Sequence, residues 1–194
     1  MKKQPPVTVE TPKTTPPFII GIICNGYNDE DLAYYNAEFK LINKLFKDKV
    51  KLMFVGYNPE NSTALDGVDY EYTKPVSINH FFRHMHALKV NLLFIPLIQN
   101  TFNVTSENYN KFTEAAFFGI PVITVDQYPY NEIINDKSNG YLYANKEEFI
   151  QYLKDILINH LPTVQQCGLN AYETYLQELC YIPSTLNVLH AVFE

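Results

Sequence analysis

The run FIIGIIC (18–24), the polar-apolar stretch 30–46 and the run KLMFVG (51–56) decide the fold. FIIGIIC is almost continuously apolar and β-branched, the pattern of a strand buried on both faces of a parallel sheet. It ends at Asn25-Gly26, a turn signal. Between 30 and 46, Tyr35, Phe39, Ile42, Leu45 and Phe46 recur at helical spacing, so this stretch is read as one amphipathic helix leading into KLMFVG as a second strand. Strand, helix and parallel strand make a β-α-β unit, and the rest of the chain repeats that alternation.

VDYEYT (68–73) alternates as a third strand. Ser77 is placed to cap a helix whose apolar stripe is Ile78, Phe81, Phe82, Met85 and Leu88. VNLLFIPLI (90–98) reads as a fourth strand, 107–118 as a helix closed by Gly119, IPVITVD (120–126) as a fifth strand and GYLY (140–143) as a sixth. Residues 146–158 carry Phe149, Ile150, Leu153, Ile156 and Leu157 on one stripe, and a further helix is expected between Thr163 and Tyr181. The expected fold is α/β: a Rossmann-like, doubly wound, mainly parallel sheet of about six strands with right-handed crossovers. Its limits are drawn at 18–160, with a Pro/Thr-rich tail or linker at 1–17 and a helical extension at 161–194 packing on the domain.

Composition narrows the function. The 194 residues are 46% hydrophobic, enough for one buried core, and carry 15 Lys and Arg against 21 Asp and Glu, a formal charge of −6. That balance argues against nucleic-acid binding, which needs a basic excess. Arg83 is the one arginine, so paired guanidinium clamps on phosphate are not available. Cys24, Cys167 and Cys180 fit no metal or redox spacing, and no run approaches the ~20 apolar residues of a membrane span. With no signal-peptide pattern at the start, the expected location is cytoplasmic. His80, His84 and His86 form a His-x-x-x-His-x-His cluster, but His80 and His84 turn away from the apolar stripe and lack neighbouring ligand partners, so no metal site is assigned.

In open α/β sheets ligands bind beyond the carboxyl ends of the strands. After strand four comes QNTFNVTSENYNKFTEAAFFGIPV, in which Thr105-Ser106 are cap candidates and Glu107, Asn110, Lys111 and Glu114 fall within about 100° on a helical wheel. A polar stripe is by itself an ordinary solvated face. At a helix start on the ligand edge, however, backbone N–H groups and the macrodipole favour phosphate. Lys111 adds a positive charge there, and Glu114 can accept hydrogen bonds from a sugar diol.

The run Asn110-Lys111-Phe112-Thr113-Glu114-Ala115-Ala116-Phe117-Phe118-Gly119-Ile120-Pro121-Val122-Ile123 resembles the "NK..E..A.G.PVI" signature in the donor-binding half of GT-B glycosyltransferases, group 1 or family 4-like. Asp126, Tyr130-Asn131-Glu132-Ile133-Ile134, Asn139-Gly140-Tyr141-Leu142 and Lys146-Glu147-Glu148 follow in the family's order, and the resemblance spans roughly residues 18–180. It implies a C-terminal domain that binds a nucleoside-diphosphate sugar and, with an N-terminal acceptor domain lying outside this chain, transfers the sugar. No metal or other cofactor is implied, and peripheral membrane contact is compatible with it. Glu114 would bind the ribose, Asn108 to Lys111 would face the diphosphate with Lys111 as the catalytic group, Gly26 would leave room for the donor, and backbone at Lys74-Pro75-Val76 would lie by the base. Two positions depart from the family pattern. Ser106 stands where a first glutamate is usual, with Glu107 one place off, and Asn25 to Asp31 holds no Arg or Lys. The acidic Asp29-Glu30-Asp31 is read as complementing a helix dipole. These departures keep a second reading open, a non-catalytic Rossmann-like nucleotide-binding or protein-interaction module.

Overall fold

The computed structural model describes residues 16–24, 29–56, 62–159 and 161–180. Gly26, most of the tail and residues 181–194 lie outside them. The elements are β1 (Phe18–Ile23), α1 (Asp29–Tyr34), α2 (Asn36–Phe46), β2 (Val50–Val55), β3 (Glu71–Thr73), α3 (Ile78–Leu88), β4 (Leu92–Ile95), α4 (Thr101–Ser106), α5 (Asn110–Phe117), β5 (Val122–Val125), α6 (Tyr130–Ile133), β6 (Gly140–Tyr143), α7 (Lys146–Asn159) and α8 (Leu161–Thr174), which ends in a π-helical turn at Tyr175–Leu179. All strands are parallel, in the order β3-β2-β1-β4-β5-β6. The order reverses between β1 and β4, which makes that gap the topological switch point of a doubly wound sheet.

The apolar runs form strands because both faces are covered. Ile20, Ile22, Leu52, Phe54, Leu92 to Ile95 and Val122 to Val125 are buried. Phe94 stacks on Phe149 with centroids 4.5 Å apart and meets Tyr35 and Phe39 edge-on. The α7 stripe follows the sequence pattern: Phe149, Ile150, Leu153 and Ile156 are buried and Leu157 is partly so.

Four local expectations are corrected. The helix read over 30–46 is two helices broken at Tyr35, whose buried ring is pinned by its hydroxyl. Tyr35 Oη donates to the Leu97 carbonyl at 3.0 Å and accepts from Tyr143 Oη at 2.7 Å. Leu45, placed on the buried stripe, is 45% exposed. The third strand covers only 71–73, because the backbone of Asp69 is taken by a side chain. Asn43 Nδ2 donates to the Asp69 carbonyl at 2.9 Å and Asn43 Oδ1 accepts from its N–H at 2.8 Å, which removes both groups from a ladder. On α3 only Met85 of the stripe is buried, and the exposed Phe82 packs edge-on against Phe117. Ser77 does occupy the cap position of α3, but its hydroxyl bonds His80 Nδ1 at 2.8 Å rather than a backbone amide.

The acidic start of α1 also does more than complement a dipole. Asp31 is buried, and its Oδ1 accepts from the Ile98 N–H at 2.8 Å and from Asn103 Nδ2 at 3.1 Å. One carboxylate therefore ties α1 to the segment after β4, which carries the polar residues singled out above. Behind that segment Gly119, at φ +63°, closes α5 as the sequence suggests, and α8 packs against it through Gly168.

Candidate functional site

The helix read over 107–118 starts at Asn110. Asn100 caps a separate short helix, α4, by accepting from the Asn103 N–H at 2.7 Å, and Glu107 ends it. Asn108 Oδ1 then accepts from the Asn110 N–H at 2.9 Å, a local turn that restarts the chain as α5. Glu107 thus lies outside the helix that carries Lys111 and Glu114, yet its carboxylate stays 3.8 Å from Lys111 Nζ. Ser106 is the last residue of α4.

A cleft of about 330 Å³ opens where the strand order reverses. Ile23 and Cys24 at the end of β1 form one wall; Glu107, Asn108, Asn110, Lys111 and Glu114 form the other. This volume lies at the lower end of small-molecule sites. Five of the residues that the sequence nominates are therefore brought together. Lys74 and Val76 are exposed in the loop after β3, the outermost strand, and do not line the cleft. Gly26 falls outside the described residues. A larger hollow of about 410 Å³ lies between the α6–β6 connection and α8, but its charged lining is the carboxylates Glu132, Glu173 and Glu178, with no cation.

The electrostatics of the cleft are divided. Burial pushes the Glu114 carboxyl above the usual carboxylate range, and the positive charge of Lys111 partly offsets it. Burial also pushes the Cys24 thiol up to about 12, opposed by Lys111 and reinforced by Asp29. Cys24 is therefore an inert wall rather than a nucleophile. The fully buried Tyr130 hydroxyl is shifted up by burial, then by the charges of Glu107 and Glu114, which puts it beside the site. Nothing in the sequence singles out Tyr130 except its place in the motif after β5. Asp31 and Asn103, which hold the segment in position, carry no sequence signal either, since their partners lie far along the chain.

The histidines make no metal centre. His84 Nε2 is hydrogen-bonded to Thr73 Oγ1 at 3.0 Å and is half-buried rather than turned to solvent. Among the described residues, no three His, Cys, Asp or Glu side chains gather into a metal-binding group.

A parallel sheet that reverses its order beside a polar helix start, with one lysine and a half-buried carboxylate facing the gap, defines a Rossmann-like ligand-binding domain. The sequence profile described as glycosyl transferases group 1 matches residues 17–159, and the chain belongs to that family. No curated protein matches the sequence. Among solved structures, the C-terminal domain of a glycosyl transferase group 1 family protein (LpcC) from Francisella tularensis has a TM-score of 0.60 at 16% identity, over 84% of this chain and 86% of that one. Sucrose-phosphate synthase from Thermosynechococcus elongatus has a TM-score of 0.63 at 13% identity, over 91% of this chain and 46% of that one. Anabaena HepE, in complex with UDP and glucose, also scores 0.63 at 13% identity, over 92% and 49%. The fold is thus that of the C-terminal half of a GT-B glycosyltransferase, and the chain spans about half of the two longer proteins. No helix among the described residues is long and apolar enough to cross a membrane.

Proposed function

We propose that this domain binds a nucleoside-diphosphate sugar in the cleft between β1 and β4 and, paired with an acceptor-binding domain, transfers the sugar. The observation that carries the reading is the placement of Lys111 and Glu114 one turn apart at the start of α5, facing the switch point of the sheet. In glycosyl transfer the bond between the anomeric carbon and the diphosphate oxygen breaks, and negative charge grows on the leaving group. Groups fixed in advance around that charge lower the barrier. Lys111 and the first-turn amides of α5 are so placed, with Asn108 and Asn110 beside the phosphates. Glu114, one turn deeper, accepts from the ribose diol. Glu107 meets the sugar side, taking the role that the displaced first glutamate leaves beside Ser106. The UDP bound by the similarly folded HepE supports the choice of ligand class. In this reading the leaving charge is met by protein groups without a metal.

Calorimetric titration with UDP, GDP and their sugars, with and without magnesium, tests the proposal. Binding is expected at or below millimolar nucleotide. Glu114→Ala and Lys111→Ala should each weaken it about ten-fold or more, since a hydrogen bond to a charged group contributes about 1.5–3 kcal/mol. Lys111→Ala should spare uridine or guanosine, which lack the diphosphate. Absence of any binding at millimolar nucleotide overturns the reading and favours the interaction-module alternative.

A further inference from the structure

Tyr130 opens α6 directly after β5, at the same sheet edge as the start of α5, and its ring is wholly buried. Its hydroxyl has no hydrogen-bond partner. Among the described residues, the buried side-chain polar atoms left unpaired are this hydroxyl and both amide atoms of Gln127, three residues earlier. Buried polar groups are nearly always satisfied, so two orphaned side chains within four residues, beside a ligand cleft, mark bonds that are made in another state. The hydroxyl is too deep to meet a ligand itself. What lies against it are the carboxylates of Glu107 and Glu114.

Glu107 is held by Lys111 alone, at 3.8 Å, an ion-pair separation too long for a hydrogen bond. A diphosphate entering the cleft competes for the same ammonium group. Once Lys111 turns to the ligand, Glu107 becomes an uncompensated, mostly shielded carboxylate facing phosphate, and both facts oppose binding. A neutral phenol beside it supplies the missing donor, and burial keeps that phenol protonated.

We propose that Tyr130 is a positioning residue: when an anionic ligand draws Lys111 away from Glu107, the Tyr130 hydroxyl donates to the freed Glu107 carboxylate and holds it off the ligand. Lys111 is thereby exchanged between an internal carboxylate and the ligand without leaving a buried charge unpaired. The inference rests on reading the cleft as a diphosphate site.

The test compares wild type with Tyr130→Phe, which removes only the hydroxyl from a buried ring. UDP, GDP and inorganic pyrophosphate are titrated as diphosphate probes, uridine and guanosine as controls. Tyr130→Phe should weaken diphosphate binding about ten-fold, as expected for loss of a hydrogen bond to a charged group. It should leave nucleoside binding unchanged and the thermal midpoint unchanged or higher, because an unpaired hydroxyl is removed. In a Glu107→Gln background the same substitution should change diphosphate affinity less than two-fold, since the freed charge is gone. If wild type binds and Tyr130→Phe binds diphosphates equally well, or loses affinity for diphosphates and nucleosides alike with a lower thermal midpoint, the proposal fails while the site stands. If wild type binds neither the nucleotides nor pyrophosphate, the site reading fails and takes this inference with it.

Discussion

Replacing Asp31 by alanine measures how far one buried carboxylate holds the ligand edge of the sheet. Asp31 Oδ1 accepts from the Ile98 N–H at 2.8 Å and from Asn103 Nδ2 at 3.1 Å. Asn103 Nδ2 also donates to the Ile98 carbonyl at 2.9 Å, so it keeps a partner when Asp31 is lost, whereas the Ile98 N–H does not. The cost is one orphaned amide, about 1–2 kcal/mol, plus one hydrogen bond to a charged acceptor, about 1.5–3 kcal/mol. Contributions within one network do not add fully, so about 3 kcal/mol is expected. For a domain of this size that corresponds to a fall of roughly 6–12 °C in Tm. Asp31→Asn keeps an acceptor oxygen in place and should cost less than about 1.5 kcal/mol. Guanidinium unfolding followed by circular dichroism gives both values, provided the slope with denaturant is unchanged. A loss below about 1 kcal/mol for Asp31→Ala, or an equal loss for Asp31→Asn, refutes the reasoning, because acceptor geometry would then not be what binds α1 to the segment after β4.

Glu114 sets a pH dependence of stability. Its folded carboxyl holds a proton more tightly than the unfolded chain does, so stability falls as pH rises from the ordinary carboxylate range through the raised value. Glu114→Gln should flatten that fall and leave the thermal midpoint at neutral pH equal to or above wild type, even as nucleotide binding is lost; a lower midpoint at neutral pH counts against the assignment. Gly168→Ala should destabilise the domain by about 3 kcal/mol in chemical denaturation, because the added Cβ would sit 2.0 Å from the Gly119 carbonyl oxygen, where backbone must move. A cost under about 1 kcal/mol would show that α8 slides freely on the end of α5. Burial pushes the thiols of Cys24 and Cys167 up to about 12, so a thiol reagent at mildly alkaline pH should label at most the half-buried Cys180 before unfolding and all three afterwards. Rapid native labelling of Cys24 would mean that the cleft opens far wider than its structure indicates.

The sheet was legible because a parallel sheet covered on both faces needs apolar runs such as FIIGII and LLFI, and such runs occur nowhere else in the described chain. The polar residues of the site were legible for a topological reason: whatever follows β4 must stand at the switch point. Neither argument reaches the choices made by single side chains. Whether the helix starts at 107 or 110 depends on Asn100 and Asn108, two asparagines that compete with the helix for backbone groups, and an isolated wheel treats both as neutral. The third strand ends early because Asn43, on a different element, claims the backbone of Asp69. The same distinction governs the chemistry. A chain with one arginine, Arg83, placed away from the cleft must meet phosphate there with lysine, and Lys111 is the lysine at the right edge. What the sequence does not disclose is that Lys111 is already engaged by Glu107. The affinity of the cleft for an anion is therefore a difference between two pairings of one ammonium group. That difference depends on what becomes of Glu107 when it is released, which makes a hydroxyl buried beneath the cleft as consequential as the cation exposed within it.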